Sequence, residues 1–280
     1  MTGIAWATAA AIVIAVLAIG RWLDRRRLAQ LERLLGVADA KLEHLELQFE
    51  KFAPAQIVDR LTDATGAFAP ERRRVTIMFA DLRGFTALCD RLDPGVTVTM
   101  LNGYFHRMNE AVSRHHGHIN ELAGDGLLAL FGALESNPWQ ARDAVLAALD
   151  MRAELANYNV TLRSQGLPEL RFGIGIHSGE VVAGVMGAGG LFKFQVSGDP
   201  VNVASRVEGL TGRFEVDLLI TEEIRAALDD GFRLRPMPAA QVKGKPEPIR
   251  TFHVEGLATE FTDPAAPALP GEGPLVPHLR

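Results

Sequence analysis

Residues Val75 to Ala80 read VTIMFA, an unbroken β-branched and apolar run that stops at Asp81 and leads into Gly84-Phe85-Thr86. A run of that composition predicts a buried strand, which carries Asp81 to its carboxyl end, a usual place for ligand groups. After it, Gly84, Phe85 and Thr86 can turn the chain and open a helix whose free N–H groups suit phosphate oxygens. Further on, INELA (Ile119 to Ala123) and LLALF (Leu127 to Phe131) flank Gly124-Asp125-Gly126. That pattern predicts a hairpin with aspartate at its tip. An Asp-Gly turn by itself is ordinary punctuation, but a second carboxylate able to converge on Asp81 has the oxygen chemistry of Mg²⁺ bound together with substrate phosphates.

Between these motifs an amphipathic helix is expected from about Val96 to His116, capped by Gly117, with His115 and His116 in its last turn. The cluster HHGH has the composition of a metal site, but the helix end accounts for it more simply. Asn137 to Tyr158 and Thr221 to Asp230 read as surface helices. Arg171 to Gly187 reads as strands of the central sheet, with His177, Ser178 and Gly179 as a turn. In GDPVNVASR, Gly198 to Arg206, Asp199 suits an N-cap and Pro200 the first helical position. Asn202 and Arg206, four apart, then share one helix face. An arginine beside an amide donor is what a pentacoordinate phosphorus transition state needs.

Four ordered blocks, FADLRGFT, GDGLLALFG, GDPVNVASR and VKGKPEPI, resemble the class III adenylate/guanylate cyclase family over Val75 to Gly256. The resemblance implies an α/β (α+β) fold with a ferredoxin-like core and a head-to-tail homodimer whose active sites draw on both subunits. It implies two Mg²⁺ or Mn²⁺ ions on Asp81, Asp125 and the Leu82 carbonyl, one acidifying a ribose 3′ hydroxyl and the other holding phosphates. Asn202 would orient the ribose, Arg206 would stabilise the transition state, and Lys243, with Lys245 beside it, would bind the triphosphate. The expected product is a 3′,5′-cyclic nucleotide plus pyrophosphate. A catalytically silent cyclase-like module would be expected to have lost some of these residues, and all are present. The Gly-Gly-(Asp or Glu)-Glu-Phe loop of diguanylate cyclases is absent, since GAGG at Gly187 to Gly190 lacks the acidic half.

The base is the open point. Glu121 stands where adenylate cyclases of this family usually carry Lys and guanylate cyclases Glu, while Gln195 departs from both patterns. Guanine offers N1–H and N2–H₂ to the Glu121 acceptors and O6 to the Gln195 amide donor; adenine could be met by Gln195 alone. Family prevalence favours ATP and side-chain chemistry favours GTP, so both stay in play, as does relaxed or pyrimidine specificity.

The remaining segments concern attachment. Gly3 to Gly20 is an 18-residue uncharged run followed by Arg21, Arg25, Arg26 and Arg27. Charges after the run, rather than before it, predict a retained transmembrane anchor (1–27) with the catalytic part at the cytoplasmic face of the plasma or inner membrane. A buried core helix or a cleaved leader fits the same run. Leu28, Leu31, Leu35, Ala38, Leu42, Leu45, Phe49 and Phe52 alternate steps of three and four, the seam of a parallel coiled coil (28–52) or of one amphipathic helix on the domain. A linker helix (53–74) and a Pro-rich disordered tail (257–280) complete the expected organisation. The formal net charge of -5 gives no footprint for nucleic acid, and the single cysteine, Cys89, excludes an intramolecular disulfide.

Overall fold

The computed structural model describes residues 70–188, 191–242 and 245–261, together with Gly36. The apolar run Gly3 to Gly20, the heptad seam apart from Gly36, the residues beyond 261 and Lys243 lie outside the described residues. No described helix is long and apolar enough to cross a membrane.

The chain begins its sheet with β1 (Glu71–Leu82), followed by α1 (Phe85–Cys89), α2 (Pro94–Arg114), β2 (Gly117–Ala123) and β3 (Gly126–Phe131). Next come α3 (Gln140–Ser164), β4 (Phe172–Ala188), β5 (Leu191–Ser197), α4 (Asp199–Phe214), β6 (Leu218–Thr221), α5 (Glu222–Arg225), β7 (Phe232–Pro236) and β8 (Thr251–Leu257). The sheet order is β2-β3-β1-β4-β6-β8-β7, with β5 paired to β4. β3 is inserted between β1 and β2, and β4 flanks β1 on its other side, which is the ferredoxin-like split βαβ arrangement expected.

β1 is apolar from Ile77 to Ala80 because both its neighbours and both its faces are occupied there. It is paired on one edge with β3 from Thr76 to Ala80 and on the other with β4 along its whole length. Its first residues, Glu71 to Arg74, pair with β4 alone, so this half tolerates charge. The strand therefore starts four residues before Val75, inside the segment expected to be linker.

Met78, Ala80 and Leu82 on one face meet Tyr104, Met108 and Val112 of α2 and Val145, Ala148 and Met151 of α3 in the main core. α3 is accordingly a packed helix and not a surface one; buried Ala141, Ala144, Ala147 and Ala148 leave room for close approach. The second face is covered by α4, where Val203, Val207 and Leu210 pack with Leu219, Ala240 and Val242.

Three further expectations are corrected. His177, Ser178 and Gly179 form no turn: β4 runs through them, opposite Ile77, Thr76 and Val75. Hydrogen bonds within the sheet layer satisfy their side chains, His177 Nδ1 with Thr221 Oγ1 at 2.9 Å and Ser178 Oγ with Thr76 Oγ1 at 2.5 Å. The left-handed residue closing α2 is His116 (φ 58), not Gly117. Gly117 is already in β2, where a Cβ would meet the Phe131 ring at 2.4 Å. His115 and His116 instead reach acids of α3, Asp150 at 2.9 Å and Asp143 at 3.3 Å, so HHGH is a helix-end clamp. The helix expected over Thr221 to Asp230 is the single turn of α5.

Candidate active site

Asp81 is the penultimate residue of β1, and Asp125 occupies the two-residue turn of the β2–β3 hairpin, whose first residue, Gly124, sits at φ 64. The pairing of Ala80 with Leu127 brings the strand end beside the turn. A Cβ on Gly126 would lie 2.9 Å from Asp81 Oδ1, so the glycine leaves room for the carboxylate to lean across. Burial pushes the Asp81 carboxyl up, the Asp125 charge adds to this, and the Leu82 amide pulls it down. The Tyr104 phenol, buried and unpaired among the described residues, is also pushed up, by burial and then by the charges of both aspartates.

A carboxylate whose ionisation is made costlier by a neighbouring carboxylate fits a divalent cation. Among the described residues no group of three His, Cys, Asp or Glu could enclose a metal alone. The donor set is thus an open pair to be completed by phosphate oxygens, as Mg²⁺ sites on nucleotides are.

A third acid, missed in the sequence, lies behind the pair. Glu208 of α4 has its carboxyl pushed up to about 7, by burial and then by Asp81, against the pull of Arg83. It reaches over Gly173, the cross-strand partner of Asp81; a Cβ there would lie 2.8 Å from Glu208 Oε1.

Gly84 is left-handed at φ 67 and caps α1, as the turn requires. Thr86 is exposed, but Phe85 is buried in the main core, so of Phe85 only backbone faces a ligand. Asp199 is not the N-cap of α4. Gly198 is, and Asp199 begins the helix and pairs with Lys245. Asn202 is exposed and Arg206 half-buried on α4, as their spacing predicts.

α4 runs antiparallel to β4. Its first turn, at Pro200, lies on Gly179, while Thr211 lies on Gly173 beside Asp81. Asn202 and Thr211, nine residues apart, are separated by about 13 Å along the helix. Along α4, Asn202 therefore stands in the first turn and Arg206 near the middle, while the carboxylate Asp81 lies beside the Thr211 end.

The strands that carry Glu121 and Gln195 come together. The β4–β5 hairpin brings β5 to β2, where Lys193 Nζ lies 3.2 Å from Glu121 Oε1 and the Phe194 ring packs edge-on to His118 at 6.1 Å. Burial lowers His118 to about 4, so it is neutral there. A bulge between Ile119 and Glu121 shifts the register of β2, which puts Glu121 on the same face as His118. Gln195 is exposed two residues beyond Lys193.

A split βαβ sheet with two carboxylates at adjoining strand ends and a separate Asn/Arg helix is an arrangement suited to divalent-cation and phosphate chemistry. Residues 68–256 match the adenylate and guanylate cyclase catalytic domain, and the chain belongs to that family. It is 32% identical to adenylate cyclase 1 of Rhizobium meliloti (strain 1021) over 75% of this chain and 32% of that protein. It is 33% identical to an adenylate cyclase of Anabaena cylindrica over 81% of this chain and 46% of that one. The chain thus spans less than half of either relative. The crystal structure of the guanylyl cyclase Cya2 superposes with a TM-score of 0.64 at 34% identity, covering 69% of this chain and 97% of that one.

Proposed function

We propose that this domain converts purine nucleoside triphosphates, ATP and GTP, into 3′,5′-cyclic nucleotides and pyrophosphate, as a head-to-tail homodimer. The observation that carries the reading is the open pair Asp81/Asp125, joined by the strand end and the hairpin turn and lacking a third protein ligand among the described residues.

In the reaction the ribose 3′ oxygen bonds the α-phosphorus as the bond from that phosphorus to the α–β bridging oxygen breaks, and the hydroxyl proton passes to solvent. Asp81, Asp125 and the Leu82 carbonyl would hold two Mg²⁺ or Mn²⁺ ions, which when bound acidify the hydroxyl and neutralise the phosphates. Backbone amides from Gly84 to Thr86 receive phosphate oxygens. Asn202 of one subunit fixes the ribose, and Arg206 places positive charge on the strained phosphorus as it gains its fifth oxygen. Lys243 binds the triphosphate; Lys245 is occupied by Asp199. Glu121 and Gln195 read the base. The run 3–20 anchors the chain in the membrane, and the seam 28–52 raises the local concentration of the second subunit.

The test is turnover by the purified chain with Mn²⁺ of ATP, GTP, CTP and UTP, each alone. Cyclic products from ATP and GTP are expected. No product from any of the four overturns the reading and leaves a silent nucleotide-binding module; a pyrimidine product overturns the assigned base positions.

A further inference from the structure

The Lys193–Glu121 contact is an ion pair between half-exposed side chains, 44% and 48% accessible. Such pairs contribute little to stability, so this one needs another reason for its place. Its place is specific. The hairpin is locked there by Phe194 on His118, and the bulge at Asn120 sets Glu121 facing the lysine. Lys193 and Gln195, two apart on β5, point to the same side by strand alternation.

From these observations we infer that Lys193 is a specificity-determining residue that lets the pocket accept adenine. The inference rests on Glu121 and Gln195 facing the base. With Lys193 holding Oε1, Glu121 no longer presents two bare acceptors. The pair offers an acceptor, Oε2, next to a donor, the remaining Lys193 N–H groups. Adenine's Watson–Crick edge is the complement: the N6 amine donates to Oε2, and N1 accepts from Lys193. Without the lysine, adenine N1 meets the carboxylate oxygens of Glu121 unless the Gln195 amide is drawn from its other contacts, a mismatch that discriminates by about tenfold to a hundredfold. Guanine is less dependent on Lys193, because N1–H and N2–H₂ go to Glu121 directly and O6 can take the Gln195 amide N–H. The two residues therefore divide the purines: Lys193 is needed for adenine, Glu121 for guanine.

The experiment measures kcat/KM for ATP and for GTP in the full chain and in Lys193→Met, Lys193→Arg and Glu121→Gln. Equilibrium binding of each nucleotide with Ca²⁺ is measured alongside. Lys193→Met, which keeps the stem and removes the donors, is expected to lower ATP turnover and binding by about tenfold or more while GTP changes by less than about threefold. Lys193→Arg restores ATP. Glu121→Gln, whose amide oxygen can still accept from N6, lowers GTP and spares ATP. Equal losses for both nucleotides in Lys193→Met, or unchanged ATP, overturn the inference. If the parent chain makes no cyclic nucleotide the cyclase reading fails, and the ATP to GTP binding ratio of Lys193→Met still decides the role of Lys193.

Discussion

At the scale of single residues, Asp81 concentrates the chemistry because its surroundings disfavour its own charge. Its carboxyl is pushed up by burial and by Asp125. A folded carboxyl raised above its unfolded value is most favourable to the fold while protonated, and that contribution is lost as pH rises through the folded value. At neutral pH, without divalent cation, ionised Asp81 therefore supports the fold less than its protonated form does. Asp81→Asn should raise the Tm of the chain in EDTA at pH 8, leave it unchanged near pH 3, and abolish the rise in Tm that Mn²⁺ gives the parent protein. A parent chain whose Tm does not respond to Mn²⁺ would refute the cation site. Asp81 and Asp125 were legible in the sequence since a strand end and a hairpin tip announce themselves locally. Lys193 and Glu208 were not. Each approaches its partner only after folding, Lys193 across the hairpin to β2 and Glu208 across α4 to the end of β1.

Among the elements, the pairing of α4 with β4 decides where Asn202 and Arg206 stand. Its contact is made through glycine. A Cβ at Gly175 would lie 2.1 Å from the Glu208 backbone nitrogen and 2.7 Å from the Ala204 carbonyl oxygen, so helix and strand touch backbone to backbone. Gly175→Ala must push α4 off the sheet, at a cost of about 1–3 kcal/mol. It should also lower kcat by about tenfold to a hundredfold, since misplacing groups by about an ångström is enough. Denaturant titration and steady-state kinetics with the preferred nucleotide check both. Losing stability with kcat intact would show that α4 does not position catalytic groups. The expected sheet stretch Arg171 to Gly187 nearly coincides with β4, and only its break at 177–179 is overturned. Residues 177–179, HSG, are common turn formers, and only the cross-strand partners Thr221 and Thr76 and the nearby helix make them strand residues. The hairpin of β2 and β3 needed no such partners, and its expected limits nearly coincide with the observed ones.

For the whole molecule, the separation along α4 is the central fact. Asp81 lies beside the Thr211 end and Asn202 about 13 Å away toward the other, with Arg206 between them. Two chains related head to tail would bring the carboxylates of one to the Asn/Arg pair of the other, twice. Asp81→Ala and Arg206→Ala chains should each be inactive alone. Mixed in equal amounts and allowed to exchange, half of the dimers are mixed, and each mixed dimer has one complete site of two. Activity should therefore return to about one quarter of the parent value. No recovery, with exchange verified by differently tagged chains, would mean that each site is built within one subunit and that α4 must move to complete it. Recovery that depends on residues 1–52 would give that segment a role in bringing the subunits together, by raising the local concentration of the second one.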